Sequence, residues 1–464
     1  MSNYDIAIIG GGPGGYVCAI RAAQLGLKTV CIEKNSSLGG ACLNAGCIPS
    51  KTLLHSSEMF YNINNHGDEL GIIYSNMQPD LKKMMQHKNK VIKNFDNSIR
   101  DLLKRNKIDH IQGEAEIITP SKIKVSQEDK ISKIDTKYIV LATGSHPVEL
   151  AQLPFDKKHV ISSSEALSLS KIPKSMVVIG AGPIGLEIAS IYNRLGTEVK
   201  VIEISDSIGG HIDNTIALKL KAEFEKQGIK FFLKTEVSRG KVTDGQISIM
   251  ATQNKQSFLI NGEIALVSAG RTPTTARLGL ENIGVQISSN GFIPVDSEFR
   301  SSCSNIFAIG DLIEGPMLAH KASSEGTAVA EIISGNKSQV NYLIMPNVIY
   351  TAPEVAAVGL TEKEAKDLGL ELKIGQASFS SNSRAHCHGE TDGIVKIIAE
   401  ANSEKIIGLH ILGHNASEII TEGSIAMHKK LSLDDIINTT HPHPTLSEAI
   451  HEAALDAQKR KIHG

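Results

Sequence analysis

The sequence has little of what marks three classes of protein. Its formal net charge is only −2 over 464 residues, so no basic surface predicts binding to nucleic acid or to an anionic membrane. No run of about 18 or more apolar residues occurs, so we expect no membrane-spanning helix. Six cysteines are too few for a disulfide scaffold.

The amino-terminal sequence shows no pattern typical of a targeting segment. Met1 leads directly into an apolar segment broken by Asp5, without a basic region or an Arg-rich amphipathic pattern. We therefore expect a soluble cytoplasmic protein. The length is sufficient for about three domains of ~150 residues.

An internal repeat organises the first half of the chain. Each copy has an apolar strand, a Gly-x-Gly-x-x-Gly turn, a helical stretch, a Leu-Gly pair and a second apolar strand that ends in glutamate. The two sets of turn and terminal residues are Gly10, Gly12, Gly15 and Glu33, and Gly180, Gly182, Gly185 and Glu203. The order strand, turn, helix, strand is the dinucleotide-binding fingerprint.

Each position in the fingerprint has a physical reason. The first glycine permits the tight turn, the second lets the backbone approach a pyrophosphate, and the third allows close packing of helix on strand. The helix amino terminus offers N–H groups to the phosphates, and the glutamate would accept hydrogen bonds from ribose hydroxyls. One such motif is a weak signal that a structural turn could also produce, but two matching copies predict two dinucleotide sites.

The second site is predicted to prefer NAD to NADP. A 2′-phosphate needs cations near the end of the second strand, and that place holds Glu203, Ile204, Ser205 and Asp206. Two carboxylates there would repel the additional phosphate.

Cys42 and Cys47 form a close pair in the segment GGACLNAGCIPSK, residues 39–51. A zinc site would need two more Cys or His ligands at matching spacing, and none follows. Buried structural thiols are possible, although the surrounding Gly, Asn, Pro and Ser residues argue against a plain core helix. A dithiol/disulfide couple fits best, because a nearby cation and a helix terminus would lower a thiol pKa.

This segment closely resembles the active-site segment of the pyridine nucleotide–disulfide oxidoreductases, and within that family the branch that oxidises dihydrolipoamide. The resemblance extends over nearly the whole chain, through residues 138–145, 270–273, 306–311, 317–322 and 350–355. The chain departs from the family pattern at Ala41, Ala45 and Pro442, none of which removes a reactive group.

The resemblance implies an α/β fold with two Rossmann-like dinucleotide-binding domains, one for FAD and one for NAD, and a C-terminal α+β dimerisation domain. We predict an FAD-binding domain at 1–147, an NAD-binding domain at 148–272, a central segment at 273–345 that completes the FAD site, and an interface domain at 346–464. Because the cysteines closely follow the first fingerprint, one tightly bound FAD per subunit is expected there and exchangeable NAD⁺/NADH at the second.

The C-terminal segment His441 to Glu448 contains an acid–base pair. A dithiol must lose protons as it reduces a disulfide, and imidazole titrates nearest neutrality. Resemblance to the family's His-Pro-Thr-x-x-Glu element implies that His443 is the base and Glu448 its partner, while His441 is structural. In the family this element comes from the other subunit, which implies a homodimer.

The resemblance also implies the remaining cofactor contacts and the roles of the two thiols. Cys42 is expected to react with lipoamide and Cys47 to lie next to the flavin. Lys51 is expected near the flavin, paired with Glu187, which is expected near the nicotinamide. The further predicted contacts are Gly113, Thr143, Gly144, Ser145, Asp311, Met317, Leu318, Ala319 and His320 for FAD, and Gly270 for NAD.

The implied function is oxidation of protein-bound dihydrolipoamide to lipoamide, with hydride transfer to NAD⁺. Its partners would be lipoyl-bearing proteins and the acyltransferase core of 2-oxo acid dehydrogenase complexes, or a glycine-cleavage system. Two alternatives remain: reduction of another disulfide such as that of glutathione, and a non-catalytic subunit that only binds such a complex. We predict no metal site, since His386, Cys387 and His388 lie in a polar loop without a second ligand pair, and His410 and His414 have the pattern of structural residues.

Overall fold

The computed structural model describes residues 2–464, apart from the side chain of Ser2. The chain divides into two units, each built from three separated segments. Unit 1 comprises Met1–Thr52, Lys82–Val148 and Gly270–Val340, and unit 2 comprises Leu53–Leu81, Glu149–Ala269 and Asn341–Gly464. Among the described residues, no helix is both long and apolar enough to cross a membrane.

Unit 1 is built on a seven-stranded sheet. In spatial order its strands are Asp109–Gln112, Thr29–Glu33, Ser2–Ile9, Lys130–Leu141, Lys122–Gln127 and Glu114–Thr119, with Ile306–Ala308 also paired to Lys130–Leu141. The strands up to Lys130–Leu141 and Ile306–Ala308 run parallel, and the last pairs are antiparallel. Thr29–Glu33 is buried along its whole length, as expected for a parallel strand covered on both faces.

The helices of unit 1 cover this sheet and carry the glycine turn. They are Pro13–Gln24, Gly40–Ala45, the start of Cys47–His66, most of Leu81–Arg105, and Ala319–Ile333, with 3₁₀ turns at Leu280–Ile283 and Gly310–Leu312. A two-stranded ribbon pairs Ser145–Pro147 with Arg271–Pro273. One continuous apolar core lies between the sheet and its helices.

The first half of unit 2 again contains a parallel sheet with helices. Its parallel sheet has the order Lys230–Phe232, Glu198–Ile202, Ser175–Ile179, Ile264–Val267 and Val160–Ile161. A three-stranded antiparallel sheet follows, with strands Thr235–Thr243, Gln246–Gln253 and Gln256–Gly262. The helices are Ser163–Ala166, Pro183–Arg194 and Asn214–Lys226.

The second half of unit 2 is an antiparallel sheet with its own core. In spatial order the strands are Asn347–Ile349, Glu354–Gly359, Ile406–Gly413, Ile394–Glu400 and Leu372–Ser378. The helices are Glu362–Asp367, Ser383–His388, Ala416–Lys429, Leu433–Asn438 and Glu448–Ala457, with 3₁₀ turns at Tyr342–Ile344 and Phe379–Ser381. Small and branched apolar residues fill the core between sheet and helices.

Candidate active site

The cysteine pair lies across a break between two helices. Cys42 belongs to the short helix Gly40–Ala45, Gly46 interrupts the helical backbone, and Cys47 begins the long helix Cys47–His66. Neither cysteine is in a disulfide, and both are half-buried. The break therefore brings two sulfur atoms together that an unbroken helix would place more than one turn apart.

The two thiols share a hydrogen bond that sets the protonation of Cys42. The bond to Cys47, followed by burial, raises the pKa of Cys42, whereas the charge of Lys51 acts in the opposite direction. From the sequence, a nearby cation and a helix terminus are expected to lower a thiol pKa. At Cys42 the neighbouring sulfur outweighs the lysine, so this thiol keeps its proton in the dithiol form.

Ser145, Arg271 and Asp311 form a polar cluster in unit 1. The Arg271 guanidinium donates to Ser145 Oγ at 2.7 Å and to its carbonyl at 2.6 Å, and Ser145 Oγ donates to Asp311 Oδ2 at 2.5 Å. Burial lowers the pKa of Arg271, while Asp311 and Cys47 act to raise it. The predicted contacts Ser145 and Asp311 are thus held together by Arg271, which is not among the contacts predicted from the sequence.

A fully buried ion pair fixes the Gly310-Asp311 turn. Lys321 Nζ lies 3.1 Å from Glu325 Oε1, and neither side chain is exposed. Lys321 donates to the Gly310 carbonyl at 3.0 Å, and the Gly310 N–H donates to Glu325 Oε2 at 2.7 Å. Both residues were missed from the sequence, where an i, i+4 Lys–Glu pair is typical of an exposed helix face.

The first glycine turn has the shape that a pyrophosphate needs. A Cβ on Gly15 would lie 1.8 Å from the Gly10 carbonyl oxygen, so only glycine allows this approach of helix and strand. At Gly12 the nearest atom to such a Cβ would be 3.7 Å away, which leaves the backbone open at the start of helix Pro13–Gln24. No side chain caps that helix, so its first N–H groups are available to phosphate oxygens. These residues fit the dinucleotide FAD.

The second turn has the same construction. A Cβ on Gly185 would lie 2.1 Å from the Gly180 carbonyl oxygen, and one on Gly182 would meet no atom within 4 Å. Helix Pro183–Arg194 also lacks a side-chain cap. These residues fit a second dinucleotide.

Each terminal glutamate has a role within its own turn. Glu33 accepts from the Gly11 N–H at 2.8 Å and from the Asn35 N–H at 2.9 Å. Glu203 accepts from the Ala181 N–H at 2.7 Å and from the Ser205 N–H at 2.8 Å. From the sequence these carboxylates are expected only to bind ribose, but they also fix the glycine turns.

Lys234 pairs with the acidic segment that follows strand Glu198–Ile202. Its Nζ lies 3.6 Å from Asp206 Oδ2, and both side chains are largely exposed. Asp206 thus pairs with the ammonium group of Lys234, which without this partner could attract a 2′-phosphate.

The other predicted contacts fall at chain turns. The Gly144 carbonyl accepts from the Thr274 N–H at 2.8 Å, and the Thr143 hydroxyl donates to the Thr274 carbonyl at 2.7 Å. Gly113 donates its N–H to the Glu33 carbonyl at 2.9 Å. Residues 317–320 lie at the start of helix Ala319–Ile333, which has no side-chain cap.

Two predicted NAD contacts lie in different units. Glu187 is buried in unit 2, where its Oε1 accepts from the Tyr350 N–H at 3.1 Å. Gly270 lies at the start of the last segment of unit 1, and its carbonyl accepts from the Val148 N–H at 3.1 Å. The proposed pairing of Lys51 with Glu187 joins the two units and stays a prediction.

His443 and Glu448 are in direct contact. The Nδ1 atom of His443 lies 2.9 Å from Glu448 Oε1, and the Thr445 N–H donates to Glu448 Oε2 at 2.7 Å. Burial raises the pKa of Glu448, but these two partners outweigh it and hold that pKa below its ordinary value. The imidazole is 69% exposed, so its other nitrogen is accessible to a substrate.

His441 has a different environment. Its side chain is only 8% exposed, and both ring nitrogens have partners, Glu422 Oε1 and the Thr439 carbonyl, each at 2.9 Å. The bond to Glu422 raises the pKa of His441. With no free ring nitrogen, His441 has the surroundings of a structural residue.

Comparison with known proteins identifies the family. The model described as "Pyridine nucleotide-disulphide oxidoreductase" matches residues 4–326, and that of the family's dimerisation domain matches residues 345–454. The chain belongs to the pyridine nucleotide–disulphide oxidoreductase family. The predicted fold class and the predicted cofactors, FAD and NAD(H), are confirmed.

Within this family the chain is most informatively compared with dihydrolipoyl dehydrogenases. It is 45% identical to the mitochondrial enzyme of Pisum sativum over 463 residues, 99% of this chain and 92% of that protein. It is 44% identical to the mitochondrial enzyme of Homo sapiens over 461 residues, 98% of this chain and 90% of that protein. A leghemoglobin reductase of Glycine max is 45% identical over 455 residues, 97% of this chain and 87% of that protein.

Solved structures agree with this placement. LpdA from Mycobacterium tuberculosis has a TM-score of 0.91 at 25% identity, with 98% of this chain and 99% of that one covered. The HOCl-induced flavoprotein disulfide reductase RclA from Escherichia coli has a TM-score of 0.86 at 25% identity, with 97% and 99% covered.

Proposed function

We propose that the chain is a dihydrolipoyl dehydrogenase, which oxidises dihydrolipoamide through the Cys42–Cys47 couple and reduces NAD⁺. The observation that carries the proposal is the hydrogen-bonded thiol pair at the start of helix Cys47–His66. Relatives named dihydrolipoyl dehydrogenase at 44–45% identity over nearly the whole chain support the same activity.

The two cysteines carry out a disulfide exchange in which every proton and electron pair has a place. A substrate thiol gives its proton to the exposed nitrogen of His443, and the resulting thiolate attacks Cys42 Sγ. The Cys42–Cys47 bond breaks, and Cys47 leaves as the thiolate. The second substrate thiol then attacks the mixed disulfide, which releases lipoamide as a cyclic disulfide and Cys42 as the thiol.

Glu448 stabilises the proton on His443 during the first step. Its carboxylate accepts from Nδ1, which orients the imidazole and keeps the opposite nitrogen free to accept a proton. This arrangement is that of a general base held by a carboxylate.

The remaining residues bind and orient the cofactors. Bound FAD supplies an acceptor for the two electrons of the dithiol and a hydride donor for NAD⁺. The Gly10–Gly15 turn would hold the pyrophosphate of FAD. Asp311 would bind its ribityl–phosphate part, because Ser145 and the Gly310–Glu325 hydrogen bond fix its position. Lys51 would place a positive charge near the ring.

The dimer, the larger assembly and the compartment belong to the same proposal. Residues 345–454 match a dimerisation domain, which supports a homodimer in which His443 serves the other subunit's cysteines. Lipoyl-bearing proteins of 2-oxo acid dehydrogenase complexes are the proposed partners. The relatives include proteins named mitochondrial, so cell fractionation is the test of the predicted cytoplasmic location.

A direct comparison of substrates tests the proposed function. Purified holoenzyme should oxidise dihydrolipoamide with NAD⁺ and should show little reduction of glutathione disulfide with NADH. Preferential turnover of glutathione disulfide would replace the proposal with the alternative disulfide reductase, and loss of both activities would favour a binding subunit.

A further inference from the structure

A cluster of metal-ligating side chains lies in unit 2, apart from the residues assigned to the reaction. Glu58, Glu390 and His414 each offer a ligand atom, and these atoms all lie within 4.8 Å of one another. His414 Nδ1 is 2.6 Å from Glu390 Oε2. The three side chains are between 27% and 32% exposed, so an ion could reach them from solvent.

The three ligands come from separate elements that unit 2 holds in fixed positions. Glu58 projects from helix Cys47–His66, Glu390 follows helix Ser383–His388, and His414 follows strand Ile406–Gly413. Ligands on or directly beside regular elements keep their geometry better than ligands within a long loop.

A fourth group beside the cluster lacks the partner that a buried polar atom needs. The rings of His388 and His414 meet edge to face, with centroids 5.0 Å apart. Among the described residues, His388 Nδ1 is buried without a hydrogen-bond partner. An orphaned imidazole nitrogen next to a Glu–Glu–His set is independent evidence for a ligand.

The charge around the cluster also favours a cation. Glu354 interacts electrostatically with Glu58 and His414. Arg194 lies 4.0 Å from Glu58 Oε2 and is 2% exposed, and Arg384 interacts electrostatically with His388. The three carboxylates Glu58, Glu354 and Glu390 therefore outnumber the two arginines, and Arg194 can position Glu58 as outer partners of metal ligands do.

We propose that Glu58, Glu390 and His414 form a binding site for a divalent ion of the Zn²⁺ type, with water completing the coordination and His388 packed beside it. One imidazole with two carboxylates and a water gives a four-coordinate N/O donor set that suits zinc, whereas Mg²⁺ and Ca²⁺ prefer oxygen ligands alone. The site joins three elements of unit 2, so bound zinc stabilises the fold of that unit without entering the redox reaction.

Calorimetric titration of the oxidised holoenzyme with ZnCl₂ tests the proposal, because a closed Cys42–Cys47 disulfide cannot compete for the metal. We expect one Zn²⁺ per chain, a higher thermal midpoint with zinc, and no displacement by excess Mg²⁺. His414→Gln and Glu390→Gln should each weaken binding by about a hundredfold, since even outer partners of metal ligands contribute ~10- to 100-fold. Two separate variants guard against one that fails to fold.

The neighbouring His386 and Cys387 provide matched controls. His386 lies on the same short helix, is exposed, and bonds to the Ser380 carbonyl at 2.8 Å. His386→Gln and Cys387→Ser should leave zinc affinity unchanged. The proposal is overturned if folded His414→Gln and Glu390→Gln proteins bind zinc as tightly as the unsubstituted protein, if either control abolishes binding, or if Mg²⁺ displaces the ion.

Discussion

Glu448→Gln tests the acid–base pair with almost no change in side-chain size. In the structure both carboxylate oxygens of Glu448 accept hydrogen bonds, one from His443 Nδ1 at 2.9 Å and one from the Thr445 N–H at 2.7 Å. A glutamine has only one acceptor oxygen. If that oxygen keeps the Thr445 bond, the amide NH₂ faces Nδ1 and the imidazole must carry its proton on the outward nitrogen.

This change of tautomer blocks the nitrogen that must accept the substrate proton. General-base catalysis contributes about 10²- to 10⁴-fold to rate, and the analogous carboxylate-to-amide change in a serine protease triad lowers kcat by about 10⁴. We therefore expect kcat for dihydrolipoamide to fall by about 10²- to 10⁴-fold, or ~3–5 kcal/mol of barrier. The effect should fall mainly on kcat, because the His443 bond to substrate strengthens as the proton moves.

Initial rates with dihydrolipoamide and NAD⁺ measure this effect, and oxidation of NADH by ferricyanide, which needs no dithiol, should be unchanged. Glu422→Gln is the matched control, because Glu422 holds the structural His441 in the same way. The control should keep lipoamide turnover within about threefold, as expected for a change outside the reacting atoms. Glu448→Gln enzyme that turns over lipoamide at the normal rate would refute the reasoning.

Three further substitutions test other parts of the structure. Cys47→Ser should abolish lipoamide turnover while FAD stays bound, and normal turnover would contradict the exchange scheme. Asp206→Ser frees Lys234 and should raise kcat/KM for NADPH relative to NADH by about fivefold, the equivalent of ~1 kcal/mol for one exposed charge; an unchanged ratio would show that this pair does not set specificity. Lys396→Met leaves the buried Asp213, to which Lys396 bonds at 2.9 Å, without its cation. The substitution should lower the free energy of unfolding, measured in urea, by about 3–5 kcal/mol. A loss below about 1 kcal/mol would refute the role of Lys396 as the cation that compensates the buried Asp213.

The sequence predicted the strands and the glycine turns because their causes are local. The apolar run Ile6–Ile9 and the glycines after it specify a buried parallel strand and a tight turn almost independently of the remaining chain. The contact of His443 with Glu448 has no such local cause. Five-residue spacing does not determine it, and the Thr445 N–H that orients the carboxylate depends on the path of the chain.

The features that the sequence did not predict depend on burial, which is a tertiary property. Lys321 and Glu325 have the spacing of a solvated helical pair, yet neither side chain is exposed. Lys396 interrupts an apolar strand as an outward-facing residue would, yet it is 1% exposed. Likewise, His388 and His414 have no sequence relation that would predict the contact of their rings.

The segmented construction of unit 1 has a consequence for synthesis on the ribosome. Its sheet includes the strand Ile306–Ala308, and the Gly310 N–H bonds to Glu325. Neither the complete sheet nor this bond can form until the third segment has been translated. Although domains often fold in order as they emerge, the amino-terminal third of this chain must wait for residues up to 340. A nascent chain stalled before that point would expose the edge of its longest parallel strand, where chaperones or a second nascent chain could bind.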